Sequence, residues 1–192
     1  AAGEDLALVG SPDGSSSQGD AYVFTRSAGI WSQQQQLEPT SGLFNAYFGN
    51  ALALEGNTMI IGARGAGEVY VYEKVGSTWV QQQVLVATVT NPEDTDFGNS
   101  IALLGETLVI GAPLENTQDG AVYIYRRSGG LWGLQEKLQG SASAIDGFFG
   151  VSVALDNNFL IVGSPGEDSQ ESNSGAAYVF SSNGVSWVER AV

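Results

Sequence analysis

Acidic side chains gather in two short segments of the sequence, and their carboxylates are its most chemically capable groups. NPEDTDFG holds Glu93, Asp94 and Asp96, and PGEDSQESNSG holds Glu167 and Asp168. Clustered carboxylates and carbonyls are the ligands that Ca²⁺ prefers, and exposed carboxylates also attract basic partners. Solvated turns would have the same composition. We therefore predict acidic turns, with weak calcium binding at Asp94 and Asp96 as one use of them.

The composition excludes several kinds of catalysis. The chain has no Cys and no His, so it lacks thiolate nucleophiles, disulfides, imidazole metal ligands and His-dependent triads. An enzyme would need a pair of carboxylates, as in glycosidases. The candidate inner strands carry only Asn, Ser and apolar residues before their turns. The sequence therefore favours a non-catalytic protein.

The charge balance restricts the partners. Seven basic and 21 acidic residues give a net charge of −14, which repels nucleic acid and anionic membrane surfaces. No apolar run approaches the ~18 residues of a membrane-spanning helix. We expect no nucleic acid, no membrane insertion and no cofactor beyond a weakly bound calcium. Proteins, glycans and cations are the partners that this charge allows.

A repeat with a period close to 50 residues runs through the chain. Its tail is a Gly-Ala or Gly-Ser step that begins at positions 10, 62, 111 and 163. An aromatic strand such as VYVY and then a Trp follow each step. The units extend over about 1–47, 48–96, 97–148 and 149–192. The head of the repeat is a Phe-Gly pair, found at Phe48-Gly49, Phe97-Gly98 and Phe149-Gly150.

Each full unit contains four candidate strands, which we call A to D. Strands A and B are almost continuously apolar, as expected of strands buried on both faces. Such a sheet must be packed between copies of itself, and a radial array of such sheets is a β-propeller. A β-sandwich would explain the strands but not the repeated register. We predict an all-β fold, a β-propeller of four-stranded antiparallel blades.

These motifs resemble FG-GAP repeats, which are named for the residues that stand here at Phe97-Gly98 and Gly111-Ala112-Pro113. The resemblance covers nearly the whole chain. It implies the propeller of integrin α subunits and of bacterial extracellular proteins, and with it a binding or adhesion role outside the cell or on its surface. Integrin-type repeats often carry an Asp-x-Asp-x-Asp-Gly calcium loop between strands A and B. This chain has only EGN, GET and DNN there, so no calcium is expected through that motif.

The first unit lacks its innermost strand A, because the chain enters the pattern at strand B. The segment at 5–10 would then have an unpaired inner edge. We interpret residues 1–192 as a single propeller domain or part of one. Either further sequence extends the propeller or another chain, including a second copy, supplies the missing strand.

The loops from D to A and from B to C share one face of a propeller, and acidic residues dominate them. The opposite face carries Arg26, Lys74, Arg126 and Arg127. We predict a non-catalytic extracellular adhesion module whose acidic face engages a protein or glycan. The alternatives are a scaffold subunit that completes its propeller with another chain, and a lectin. The candidate partner- or cation-binding residues are Glu93, Asp94, Asp96, Glu115, Asp119, Asp146, Glu167 and Asp168.

Overall fold

The computed structural model describes residues 1, 5–14, 18–141, 146–167 and 174–192. Strands dominate this part of the chain, and the helical segments are single turns at Arg64–Ala66, Pro92–Asp94 and Glu115–Gln118. The strands are β1 (Leu6–Ser11), β2 (Asp20–Ser27), β3 (Ile30–Leu37), β4 (Phe48–Glu55), β5 (Thr58–Ala63), β6 (Glu68–Val75), β7 (Thr78–Val86), β8 (Ser100–Leu104), β9 (Thr107–Ala112), β10 (Ala121–Ser128), β11 (Leu131–Leu138), β12 (Ser152–Asp156), β13 (Phe159–Ser164), β14 (Ala176–Ser182) and β15 (Trp187–Ala191).

These strands form four antiparallel sheets in which each strand pairs with its neighbours in the chain. The first sheet is β1-β2-β3, and the next three are β4 to β7, β8 to β11 and β12 to β15. Each outermost strand pairs with the strand that precedes it in the chain through a register shift of the β-bulge type. The predicted all-β blades of four strands are confirmed, and so is the missing innermost strand of the first unit.

Three hydrophobic clusters join consecutive sheets. The middle cluster packs Ile60 and Val71 of the second sheet against Phe97, Leu108 and other residues of the third. The other clusters join the first sheet to the second and the third to the fourth in the same way. Every internal sheet therefore buries both faces, which explains why strands A and B are apolar throughout.

The Phe-Gly pair and the Gly-Ala step mark the contact between neighbouring sheets. The glycine of the Phe-Gly pair has a φ of +92° to +94°, a conformation that only glycine adopts readily. Its carbonyl oxygen lies where a Cβ would stand on the Gly-Ala glycine of the preceding sheet, at 2.0 to 2.3 Å. Neither glycine has room for a side chain. The contacting pairs are Gly10 with Gly49, Gly62 with Gly98, and Gly111 with Gly150.

The outer strands add a polar link between sheets. Gln35 accepts a hydrogen bond from the backbone N–H of Trp79 and donates one to its carbonyl, both at 2.9 Å. Gln83 brackets the backbone of Trp132 in the same manner, at 2.9 and 2.8 Å. The primary amide thus provides the donor and acceptor that a neighbouring strand would provide.

The predicted unpaired inner edge of β1 is partly covered. Ala1 donates a backbone hydrogen bond to the carbonyl of Leu8 at 3.1 Å and accepts one from its N–H at 2.8 Å. Apolar residues nevertheless remain exposed on the outward faces of the first and fourth sheets, including Val9, Trp31 and Ile161. Among the described residues, no hydrophobic cluster joins these two sheets.

Candidate partner-binding surface

The loop between β7 and β8 carries three acidic residues, Glu93, Asp94 and Asp96, on the face where the D–A and B–C loops lie. Its turn at Pro92–Asp94 is closed by Thr95, whose hydroxyl donates to the carbonyl of Pro92 at 2.6 Å and accepts from the N–H of Phe97 at 3.1 Å. Thr95 and Phe97 are buried, whereas Glu93 and Asp94 are exposed. The loop therefore presents two carboxylates from a well-anchored backbone.

Asp96 belongs to the same acidic segment but has a different environment. Its carboxylate lies 2.8 Å from Nη1 of Arg64, in the B–C turn of the second sheet. The Arg64 guanidinium also lies over the ring of Tyr47, 5.0 Å from its centroid. Asp96 therefore ties the second sheet to the third, and Arg64 stands where the three other units have the proline of Gly-Ala-Pro or Gly-Ser-Pro.

Glu115 is buried, with 3% of its surface exposed. It accepts hydrogen bonds from the hydroxyl of Tyr123 and from Nζ of Lys137, which reaches it from β11. Burial raises the pKa of Tyr123 far above its usual range, and the hydrogen bond to Glu115 raises it further. Glu115 thus holds a loop to two strands and does not lie on the surface.

Glu167 is buried in the same way, with 2% exposed. Its carboxylate accepts a hydrogen bond from the hydroxyl of Tyr178 at 3.3 Å, and Glu68 accepts one from Tyr70 at 2.6 Å. The acid-to-tyrosine contact therefore recurs in three sheets. Burial removes Glu115 and Glu167 from the surface that a partner could reach.

The remaining candidates have unequal exposure. Asp146 is exposed and Asp119 is half-buried, while Asp168 lies outside the described residues. Asp13, after β1, is exposed on the same face. Among the members of the predicted set that the structure describes, Glu93, Asp94 and Asp146 are therefore the exposed ones.

A hollow of about 220 Å³ lies beside Asp94, between the loops that precede β8 and β10. One wall is the turn at Glu115–Gln118, where Asn116 and Thr117 have φ values of +54° and +57°. Left-handed backbone at non-glycine residues is costly, and the buried Glu115 anchors this turn. The hollow places backbone groups and the Asp94 carboxylate around one open space.

A second hollow, of about 440 Å³, lies nearer the inner strands. Its lining includes Asp13, Tyr47, Asn50, Arg64 and Asn99. Sequence reasoning did not predict that the guanidinium of Arg64 stacks on Tyr47. Nor did it show that Lys137 reaches this face from a strand.

The described residues contain no group of three acidic side chains placed to hold a metal ion. None of the helical segments in the described ranges is long and apolar enough to cross a membrane. Asp94 and Asp96 point to different partners, Asn91 at 3.2 Å and Arg64 at 2.8 Å. In the described part of the chain, Asp94 and Asp96 therefore do not form an assembled set of calcium ligands.

The opposite face has less free positive charge than its sequence implies. Arg26 pairs with Asp5 at 3.0 Å, and Arg127 pairs with Glu73 at 2.8 Å. Arg126 lies 3.9 Å from a further carboxylate in the A–B turn of its own sheet. Because these arginines are neutralised locally, the contrast in charge between the two faces is smaller than the sequence predicts.

The repeated aromatic residues pack between sheets. Phe97 meets Tyr123 edge-to-face with ring centroids 5.1 Å apart, and the same contact recurs in the second and fourth sheets. Trp79 and Trp132 are buried, whereas 44% of Trp31 is exposed. A row of exposed rings for stacking on sugars is therefore not present among these residues.

The Phe-Gly contacts described above coincide with a known repeat. A family model described as "FG-GAP repeat" matches residues 31–72, 79–125 and 132–180, more than half of the chain. The chain belongs to the FG-GAP repeat family. FG-GAP repeats suggest a propeller-type binding or adhesion module, and they occur in extracellular proteins.

A search of curated proteins gave no match to this FG-GAP chain. Among solved structures, it is similar to a chain in an S. cerevisiae complex of a Dbp5 variant bound to Nup159, a Gle1 variant, IP6 and ADP. The identity is 9% and the TM-score 0.36, with 97% of the FG-GAP chain and 58% of the other chain covered. The chain thus spans less than two thirds of that protein, and nothing about its function is drawn from this match.

Proposed function

We propose that this FG-GAP chain is a non-catalytic extracellular adhesion module that binds a protein or glycan through its acidic loop face. The observation that carries the proposal is the β7–β8 loop, where Glu93 and Asp94 are exposed while Thr95 and Phe97 are buried. Asp94 also lines the neighbouring hollow. A backbone that is already fixed loses little further conformational entropy when a partner binds. The exposed carboxylates also draw basic partners through long-range attraction.

The electrostatic balance of this face supports a partner with basic groups or hydrogen-bond donors. Arg64 is engaged by Asp96, and Lys137 by the buried Glu115. The exposed acids Glu93 and Asp94 have no such cation among the ion pairs of the described residues. Their charge is therefore available to a partner.

The binding test begins with the unmodified chain on a glycan array and on a panel of purified extracellular proteins. For each reproducible binder, the affinity of the Glu93→Gln/Asp94→Asn double variant is then compared with that of the wild type. We expect roughly tenfold weaker binding and an unchanged thermal unfolding temperature, because both side chains are exposed. Glu106→Gln, on the opposite face, is the matched control and should retain full affinity.

Unchanged affinity in the double variant would remove this loop from the proposal. Loss of binding in Glu106→Gln alone would move the site to the opposite face. If neither panel gives a reproducible binder, the adhesion role itself is contradicted.

A scaffold role is the second candidate, and the exposed faces at the two ends of the array favour it. Ile161 is 49% exposed, whereas the equivalent Val109 and Ile60 are fully buried against the next sheet. Light scattering over a concentration series tests this role. A mass that rises with concentration would favour a scaffold, and a constant monomer mass would favour the binding module.

A further inference from the structure

A cavity of about 420 Å³ opens on the outward side of the fourth sheet. It is lined by Ser152 of β12, Gly163 and Ser164 of β13, and Ala176 and Ala177 of β14, together with neighbouring residues. These strands are the inner part of the sheet. The cavity is away from the loop hollow beside Asp94. It lies on the same outward face as Ile161, whose exposure favours the scaffold role, and the inference below rests on that role.

The same positions in the third sheet are occupied. There Gly150 of the next sheet lies so close that a Cβ added to it would meet the carbonyl of Ala121, the side chain of Val122 and the N–H of Ala112. A Cβ added to Gly111 would in turn meet the carbonyl oxygen of Gly150 at 2.0 Å. By strand register, Gly111 pairs with Val122 as Gly163 pairs with Ala177. The cavity is therefore equivalent to the place where the third sheet accommodates the Phe-Gly pair of the fourth sheet.

At Gly163 the receiving position is open. A Cβ built there would meet only side chains of its own sheet, Ser152 Oγ at 2.4 Å and Val151 Cγ1 at 3.8 Å. At Gly111 a Cβ would also meet the carbonyl of Gly150 at 2.0 Å. The difference between the two sites is the incoming backbone.

The cavity also has the hydrogen-bond donor that the equivalent site of the third sheet uses. In the third sheet, Ser100 Oγ donates to the carbonyl of Gly150 at 2.8 Å. In the second sheet, the donor to the carbonyl of Gly98 is Asn50 Nδ2, at 2.9 Å and one position earlier in the repeat. Ser152 occupies the position of Ser100 in the repeat. Shape, strand register and donor therefore agree.

We propose that this cavity is a docking site for a Phe-Gly strand of another FG-GAP sheet. The occupant is a segment that begins with Phe-Gly, takes a positive φ at the glycine and continues as an apolar strand over the exposed face around Ile161. A second folded copy does not meet this description, because Phe48, Phe97 and Phe149 are all buried in their own sheets. The partner is an FG-GAP chain whose Phe-Gly strand is accessible.

The probe is a fluorescent peptide with the sequence of residues 95–105, TDFGNSIALLG, added to the full chain and followed by anisotropy. We expect saturable binding. The same peptide with Gly98→Val should not bind, because valine does not adopt the φ of +92° found at Gly98. Absence of binding by the first peptide, or equal binding by both, overturns the proposal.

Variants of the protein locate the site. Gly163→Ala should weaken peptide binding at least tenfold, because its methyl group would occupy the position of the incoming carbonyl. Ser152→Ala should weaken it roughly three- to tenfold through loss of one hydrogen bond. Gly133→Ala is the matched control, since Gly133 lies in a strand with nothing within 4 Å of the added Cβ.

Two outcomes count against the docking site even if the peptide binds. Equal affinity of the wild type and Gly163→Ala would place the peptide elsewhere. The protein could also self-associate in a way that Gly163→Ala abolishes and the peptide does not inhibit. That outcome would make a second copy the occupant. If Gly163→Ala proves unstable by thermal unfolding, the comparison of Ser152→Ala with the wild type decides.

Discussion

Gly111 and Gly163 end the same local pattern and have opposite surroundings. The carbonyl of Gly150 presses on Gly111, whereas Gly163 faces an open cavity. The apolar residues two positions earlier show the same contrast, since Val109 is fully buried and the equivalent Ile161 is 49% exposed. A short motif therefore encodes a surface that fits the next sheet, and the presence of that sheet decides whether the surface is buried.

The hydrogen bonds between outermost strands, at the outer rim of the array, also depend on the neighbouring sheet. Gln83 brackets the backbone of Trp132 with two hydrogen bonds, but Glu136 at the same position of the next unit makes only one, accepting from the N–H of Trp187 at 2.9 Å. A carboxylate has no donor for the tryptophan carbonyl. The fourth unit has Ala191 there, so the polar link weakens along the array.

Removing a buried ring should have the largest effect on stability. Phe97→Ala is expected to cost about 3 to 5 kcal/mol of unfolding free energy, because Phe97 is fully buried between two sheets. Phe159→Ala, on the open face with 56% exposure, should cost less than about 0.5 kcal/mol. Urea unfolding measures both, and a cost below about 1 kcal/mol for Phe97→Ala would contradict its role in the core.

Adding one methyl group at the two glycines tests the comparison directly. Gly111→Ala should cost about 1 to 3 kcal/mol, because the new Cβ meets a backbone carbonyl that cannot move without shifting the next sheet. Gly163→Ala should cost less than about 0.5 kcal/mol, since the Ser152 hydroxyl can rotate away. Equal costs in urea unfolding would mean that the contact with Gly150 does not constrain the motif.

Alkaline pH should weaken the packed interfaces. Burial raises the pKa of Tyr125 to about 12, whereas tyrosine in the unfolded chain titrates near 10. The unfolded state then loses its proton first, so stability is full below pH 10 and falls as the pH rises to 12. At pH 11 this tyrosine alone lowers the unfolding free energy by about 1.4 kcal/mol relative to pH 9.

The Tyr125→Phe variant is the control for this pH dependence. Its stability should fall less between pH 9 and pH 11 than that of the wild type, as followed by circular dichroism in urea. Parallel curves for the two proteins would show that Tyr125 does not titrate as its burial implies.

The smallest expected effect concerns the amide link at the rim. Gln83→Ala should lower the unfolding free energy by about 1 kcal/mol, because it leaves the backbone of Trp132 without two hydrogen-bond partners. Gln82→Ala, on the exposed side of the same strand, should change it by less than about 0.5 kcal/mol. Similar values for both variants would assign no stability to the link.

The repeat in the sequence was enough to predict the strands, their order and the missing inner strand, because spacing and apolar pattern are local properties. It was not enough to predict the acid-to-tyrosine contacts. Glu68 precedes its tyrosine by two residues, but Glu115 precedes Tyr123 by eight and Glu167 precedes Tyr178 by eleven. Loops of different length bring each acid to the same place, so no fixed spacing identifies the contact. From the sequence, Glu115 and Glu167 were therefore predicted to be exposed loop residues.

The ion pairs were hidden for a similar reason. Arg64 meets Asp96 across two sheets, and Lys137 meets Glu115 across a loop. Counting charges per face assigns each residue to an element, but it does not show which opposite charges touch. Partners separated by 32 and 22 residues emerge only when the sheets are packed.

The matched FG-GAP segments do not begin and end at the boundaries of the sheets. Each starts in the outermost strand of one sheet and finishes in the third strand of the next. A duplicated segment therefore holds four strands but no complete sheet, and it carries the covalent crossing between two sheets intact. Every added copy must share its sheets with its neighbours, so gain or loss of one copy changes the strand composition of the sheets on both sides.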